Sequence, residues 1–154
     1  MSTTRHPNPA AGLSLSLPEG WTAMQAPGDQ YPVYRAPSTE RFRPSISIHD
    51  TTDFRSPPFS GTLADYVAKT RKYLAHSTDV AEIAESEFTT QAGAVGYRLT
   101  YTQSHTVGLL QAFAYFFDGP GGRKTALYCL CLAQSRAAHE SIFDSVLQSL
   151  KFES

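Results

Sequence analysis

The chain has little cysteine, no dominant sign of charge and no long apolar run. Cys129 and Cys131 are the only thiols in 154 residues, so no disulfide framework replaces a packed core. Lys and Arg number 13 against 14 Asp and Glu, for a net charge of -1. A sum so close to zero supplies no global field toward nucleic acid or an anionic membrane, and neither is expected as a partner. No apolar stretch reaches the roughly 18 residues that a spanning helix needs. The first residues hold one Arg, two prolines and no apolar segment of signal-peptide length. With Met1 as the natural start, the expected compartment is the cytoplasm. With a signal removed, it is the periplasm.

Chemical signatures are missing as well. The histidines are His6, His49, His76, His105 and His139. None stands at His-x-x-x-His spacing or at zinc spacing from a cysteine, so no metal ligand is assigned. Gly119-Pro-Gly-Gly-Arg-Lys-Thr125 fails as a phosphate loop: its glycine spacing is wrong and a strand follows it. It reads as a hairpin turn, where three glycines permit positive φ. There is no Gly-x-Ser-x-Gly elbow. Cys129 and Cys131 lie mid-strand among Leu127, Tyr128, Leu130 and Leu132. An apolar setting raises a thiol pKa and leaves it inert. Two apart in a strand, both point to one face with Cα atoms roughly 6.5–7 Å apart, at the limit for a disulfide. Two free buried thiols are expected. No catalytic residue and no cofactor are assigned, and the chain is expected not to be an enzyme.

What is present is periodicity. Residues 1–12 read as a loose N-terminal tail and 13–152 as one domain. Leu13, Leu15 and Leu17 alternate with serines, as in a half-buried strand. Trp21–Gln25 and Tyr31–Ala36 are short extended segments, with Pro32 marking the second as an edge or a strand start. Ser45–Asp50 alternates again, and Thr51–Gly61, with Pro57-Pro58, is a surface loop. Thr62 and Asp65 form a capping box for a helix ending near His76. Its apolar face carries Leu63, Tyr66, Val67, Thr70, Tyr73 and Leu74. Lys69, Arg71 and Lys72 form a small basic cluster, read as a solvated face, with Asp65 placed to pair with Lys69. Val80–Glu87 reads as a strand. Tyr97–Thr102 alternates, with Tyr97, Leu99 and Tyr101 on one side. Leu109–Phe117 and Thr125–Ala133 are apolar on both sides. A last helix opens at Ser135 and aligns Ile142, Phe143, Val146, Leu147 and Leu150. Adjacent hairpins plus two separated amphipathic helices predict an α+β fold, an antiparallel sheet with helices on either side.

The order of motifs carries a resemblance. Leu-Ser-Leu-Pro-Glu-Gly-Trp at 15–21 precedes Ser-Ile-Ser-Ile at 45–48 and Thr-Leu-Ala-Asp-Tyr-Val at 62–67. Gly-Tyr-Arg-Leu-Thr-Tyr at 96–101 and a closing Ser-Leu-Lys-Phe at 149–152 follow. From about Gly12 to Phe152 this resembles the PsbP-like superfamily, an α/β/α sandwich. The nearest likeness is a bacterial domain family of largely unknown function that includes chaperones or adaptors of type VI secretion effectors. The resemblance implies binding to protein clients and brings no catalytic motif. The chain lacks the lipobox cysteine of the exported relatives. The expected function is therefore a non-enzymatic protein-binding module. A carrier of an apolar small molecule is the alternative, followed by a hydrolase with a spatially assembled site. Two helices cover less area than a long sheet presents on two faces, so an uncovered aromatic face is the expected binding surface. Tyr97, Tyr101, Phe113 and Tyr115 are the candidate partner contacts, on the expectation that they line one face. A homodimer through an edge strand is a second option.

Overall fold

The computed structural model describes residues 2–52 and 58–153. Part of the expected loop Thr51–Gly61 lies outside them. Ten strands run as β1 Thr3–Asn8, β2 Leu13–Pro18, β3 Thr22–Met24, β4 Val33–Arg35, β5 Ser45–Asp50, β6 Val80–Thr89, β7 Val95–His105, β8 Gly108–Asp118, β9 Lys124–Leu132 and β10 Lys151–Phe152. Helix α1 spans Leu63–His76 and α2 spans Arg136–Gln148. Seven strands form one antiparallel sheet in the order β3-β4-β5-β9-β8-β7-β6, and three form a small sheet, β1-β2-β10. This is the expected α+β, PsbP-like architecture.

The register of β8 shows how the layers are built. Phe113, Tyr115 and Phe117 enter one core, together with Leu127, Cys129 and Cys131 of β9. Ala112, Ala114 and Phe116 enter the other, with Leu99 and Tyr101 of β7. A strand apolar on both sides is one covered on both sides, because neighbouring side chains alternate. The first core is closed by α2, through Phe143, Val146 and Leu147, and by Leu13, Leu15 and Leu17 of the small sheet. Phe143 is fully buried, its ring centroid 5.8 Å from Phe113 and 6.4 Å from Trp21. The second core is closed only by α1, which packs on β6, β7 and β8.

Residues 3–8, expected within a loose tail, form a strand instead. Thr3 to Asn8 pair with Pro18 to Leu13. Arg5 Nη1 fastens the strand by donating to Ser149 O at 2.7 Å and to Ser14 Oγ at 3.1 Å. Pro7 lacks an N–H, and β1 tolerates it as an edge strand. The β10 pairing was likewise not expected. Both strands attach to β2, and β10 does so from the far end of the chain, where local sequence gives no signal. Pro32 lies just before β4, which is short but internal, between β3 and β5.

Gly96 shows how closely the central strands approach. A Cβ there would stand 2.0 Å from Phe116 O and 2.7 Å from the Phe117 ring. Phe88, paired opposite Gly96, fills the vacant space with its ring 4.9 Å from Tyr115 and 6.3 Å from Phe117. Both cysteines are free and fully buried on one face of β9, as expected.

Candidate functional site

Helix α1 carries two adjacent stripes where the sequence suggested one. Leu63, Val67 and Leu74 are buried against the sheet. Tyr66, Thr70 and Tyr73 follow the same helical spacing one step around and turn toward β9 and β5, which α1 does not cover. Tyr73, expected on the buried face, is 77% exposed. The capping box is formed as expected: Thr62 Oγ1 accepts from Asp65 N at 3.1 Å, and Asp65 accepts from Thr62 N at 2.9 Å. It fixes the entry of α1 and so the wall of the cleft beside it.

The uncovered strands complete that cleft. Ser47 pairs with Tyr128 and His49 with Ala126, so their side chains share the α1 face. A chain of edge-to-face rings runs along it. Centroids lie 5.2 Å apart for Phe59–Tyr66, 5.9 Å for Tyr66–Phe116, 6.2 Å for Phe116–Tyr128 and 5.2 Å for Tyr128–His49. Two hollows flank the Tyr66–Tyr128 ridge. One, of about 300 Å³, lies toward Phe59, Lys69, Thr70 and Tyr73. The other, of about 450 Å³, lies toward Ser47, His49, Tyr101, Gln103 and Leu130. Both volumes suit a small ligand or a few side chains of a partner.

The phenols in this cleft are held protonated. Burial pushes the Tyr101 phenol up to about 12. Burial also raises Tyr66, with the Asp50 charge adding to it. Tyr128 is raised first by burial and then by the neighbouring phenols of Tyr66 and Tyr101. At neutral pH all three are neutral groups with a proton to donate. Asp50, at the end of β5 beside the cleft, is buried on the side of Ile46 and Ile48 and is already engaged. It accepts from Tyr31 Oη at 2.6 Å and Thr52 N at 2.9 Å, and it pairs with Arg123 Nη1 at 3.4 Å. Lys69 stands at the rim, its Nζ 5.6 Å from the Phe59 ring centroid.

Of the four residues chosen from sequence, the fold brings only two to this side. Tyr101 lines the larger hollow. Tyr97 lies under α1 against Val67, Ala68 and Glu85. Phe113 and Tyr115 are fully buried in the opposite core, so the four do not line one face. The register explains the correction. Thr100 pairs with Phe113 and Arg98 with Tyr115, and directly paired residues share a face. Tyr115 donates to Asp144 of α2, and the Arg98 guanidinium lies 5.0 Å from the Phe113 ring while bonding Glu140 at 2.9 Å. Tyr128 and the Tyr66–Tyr73 stripe were missed. The stripe was visible as an i, i+4, i+7 series, whereas Tyr128 sits in a run apolar on both sides.

Polar groups elsewhere are arranged differently. Ser135 Oγ and His139 Nε2 both bond Glu40, the histidine at 2.8 Å. Neither bonds the other, so the imidazole is not placed on the serine hydroxyl, and the trio ties the 38–40 turn to the start of α2. Burial pushes the Cys131 thiol up to about 12 and the Cys129 thiol well above its ordinary value. Among the described residues no group of His, Cys, Asp and Glu is placed to hold a metal ion, and no helix is long and apolar enough to cross a membrane.

Solved structures match nearly the whole chain, among them that of a PsbP protein, and the fold is PsbP-like. The cyanobacterial PsbP protein CyanoP from Synechocystis sp. PCC 6803 aligns at TM-score 0.67 and 20% identity, over 98% of this chain and 92% of its own. LpqN of Mycobacterium tuberculosis, involved in cell envelope biogenesis, aligns at TM-score 0.70 and 15% identity, over 99% and 91%. PA94 of Pseudomonas aeruginosa, a protein of unknown function, aligns at TM-score 0.63 and 15% identity, over 100% and 99%. At these identities the likeness is one of fold. No protein-family model matches the chain, and no curated protein matches it.

Proposed function

We propose that this chain is a non-enzymatic binding module that holds a partner protein in the cleft between α1 and the uncovered strands β9 and β5. The observation that carries the reading is the half-covered sheet face, with the phenols of Tyr66, Tyr101 and Tyr128 gathered on it. Aromatic side chains with a polar end are enriched in the buried centres of interfaces, where ring area and one hydrogen bond act together. On this reading the client is a secretion effector or a similar protein, and the chain is its chaperone or adaptor in the cytoplasm. Two free thiols fit such a reducing compartment. Of the sequence-chosen contacts, Tyr101 and Tyr97 remain on the binding side. Phe113 and Tyr115 lie in the opposite core.

The test is capture from a lysate of the source organism with wild type and with a Tyr101→Ala, Tyr128→Ala double variant. Folding of the variant is checked by far-UV circular dichroism. The expected result is a stoichiometric partner that the variant loses. A folded variant that retains every partner of the wild type rejects the cleft as the binding surface. If extraction of the purified wild type instead yields a stoichiometric apolar small molecule, the carrier alternative replaces the adaptor.

A further inference from the structure

Resting on that reading of the cleft, we propose that its occupant is a proline-bearing extended segment of the partner with a carboxylate side chain beside the prolines. The hydrogen-bonding inventory points this way. The hydroxyls of Tyr66 and Tyr101 make no hydrogen bond to a described residue, yet burial keeps both protonated and able to donate. Among the described residues Asp50 is the one carboxylate beside the cleft; its side chain is fully buried and its oxygens are taken by Tyr31, Thr52 and Arg123. The wall therefore offers phenolic donors where its carboxylate is already engaged.

A polyproline II segment is the complement of such a wall. Its prolines have no N–H, and its carbonyls make no internal hydrogen bonds and point outward. A β-strand ligand would bring N–H groups that need acceptors of their own. Proline rings pack flat on aromatic faces, and the segment is already extended before binding, so little entropy is lost. Two hollows on either side of the Tyr66–Tyr128 ridge give adjacent seats for such rings. Charge settles the flank. Among the described residues, with Asp50 paired to Arg123, the remaining charged group lining the smaller hollow is the ammonium of Lys69, which lies over Phe59. That cation selects a carboxylate at the adjoining position and disfavours a lysine there.

The experiment is fluorescence anisotropy with a synthetic, end-blocked peptide reading Pro-Pro-Leu-Pro-Pro-Asp, on the full chain. Two further peptides serve as controls, one with every proline replaced by alanine and one with the aspartate replaced by lysine. Binding of the proline–aspartate peptide is expected to be about tenfold tighter than either control. The Tyr66→Phe, Tyr101→Phe double variant keeps both rings and is expected to lose about tenfold, the scale of two neutral hydrogen bonds. Lys69→Ala is expected to remove the preference for aspartate over lysine and leave the proline preference. Equal binding of the alanine peptide overturns the proposal, as does an unaffected double phenylalanine variant. So does displacement of the peptide by palmitate together with tighter binding of palmitate itself. If the lysate partner is lost on cleft mutation while the proline peptide does not bind at millimolar concentration, the proposal fails and the binding-module reading stands.

Discussion

The two faces of the seven-stranded sheet are built from similar residues and end in different states. On one, Phe113, Tyr115 and Phe117 meet α2 and the small sheet, and every aromatic of β8 is sealed. On the other, Phe116 and Tyr101 meet α1 and Tyr128 reaches Thr70 at its edge, but the β5 side chains Ser47 and His49 lie beyond it. The hydroxyls record the difference. Tyr115 on the closed face donates to Asp144, whereas Tyr66 and Tyr101 on the open face have no bond to a described residue. The closed face holds the fold, and the open face is where the fold leaves work undone.

The largest expected effect separates the faces by packing. Phe143→Ala removes the ring that wedges between Phe113 and Trp21. It is expected to destabilise by about 3–5 kcal/mol, measured by urea unfolding. Tyr128→Ala, at the cleft, is expected to cost clearly less, because its side chain borders an open hollow that solvent can enter. Equal losses would erase the distinction between a sealed and an open face.

Next in size is the hydroxyl of the closed face. Tyr115→Phe keeps the ring and removes the donor to Asp144, a bond to a charged acceptor. The expected cost is about 1.5–3 kcal/mol. Removing Asp144 as well, in a Tyr115→Phe, Asp144→Ala cycle, isolates the pair term from the loss of each side chain alone.

How much of this was legible in the sequence depends on the range of the pairing. The helices, the Leu13–Leu17 alternation and the strands around Tyr101 and Tyr115 follow from local period, and each is found close to where the period places it. The strands β1 and β10 do not, because their hydrogen bonds are to β2 and not to near neighbours. Face assignment failed for a related reason. Period 2 sorts a strand into two sets, but where both sets are apolar it does not say which helix covers which. That is decided by register: Tyr101 opposite Ala112, and Phe113 opposite Thr100. Tyr101 therefore lies at the cleft together with Tyr128, while Phe113 and Tyr115 lie on the opposite face.

Acid sharpens the comparison, because two of the three carboxylates held down in pKa among the described residues clasp α2, and the third, Asp65, caps α1 from an exposed position that solvent screens. Glu140 lies below the ordinary value of 4.5, chiefly through its hydrogen bond from Arg136 and then that from Arg98. Glu40 is lowered chiefly by Ser135, with His139 and Ser38 adding to it. A depressed carboxylate contributes stability that is present above its unfolded pKa and lost as pH falls through its folded value. Stability is therefore expected to decline as pH drops below about 4.5, read as a falling urea midpoint. Glu140→Gln is expected to flatten part of that decline. Because these contacts belong to α2, amide exchange in α2 is expected to rise on acidification before exchange in α1.

The smallest expected effect is the most discriminating. Tyr101→Phe removes a hydroxyl with no bond to a described residue on the half-covered face. A hydroxyl with no such bond contributes no internal hydrogen bond to lose. The expected change in unfolding free energy is within about 0.5 kcal/mol of zero. The identical substitution at Tyr115, on the sealed face and three register positions further from the β7–β8 turn than Tyr101, is expected to cost several times as much. If Tyr101→Phe proves as damaging as Tyr115→Phe, the Tyr101 hydroxyl has a structural partner and the cleft is ordinary core. If it leaves stability unchanged but weakens capture of the partner, that hydroxyl serves a ligand and not the fold.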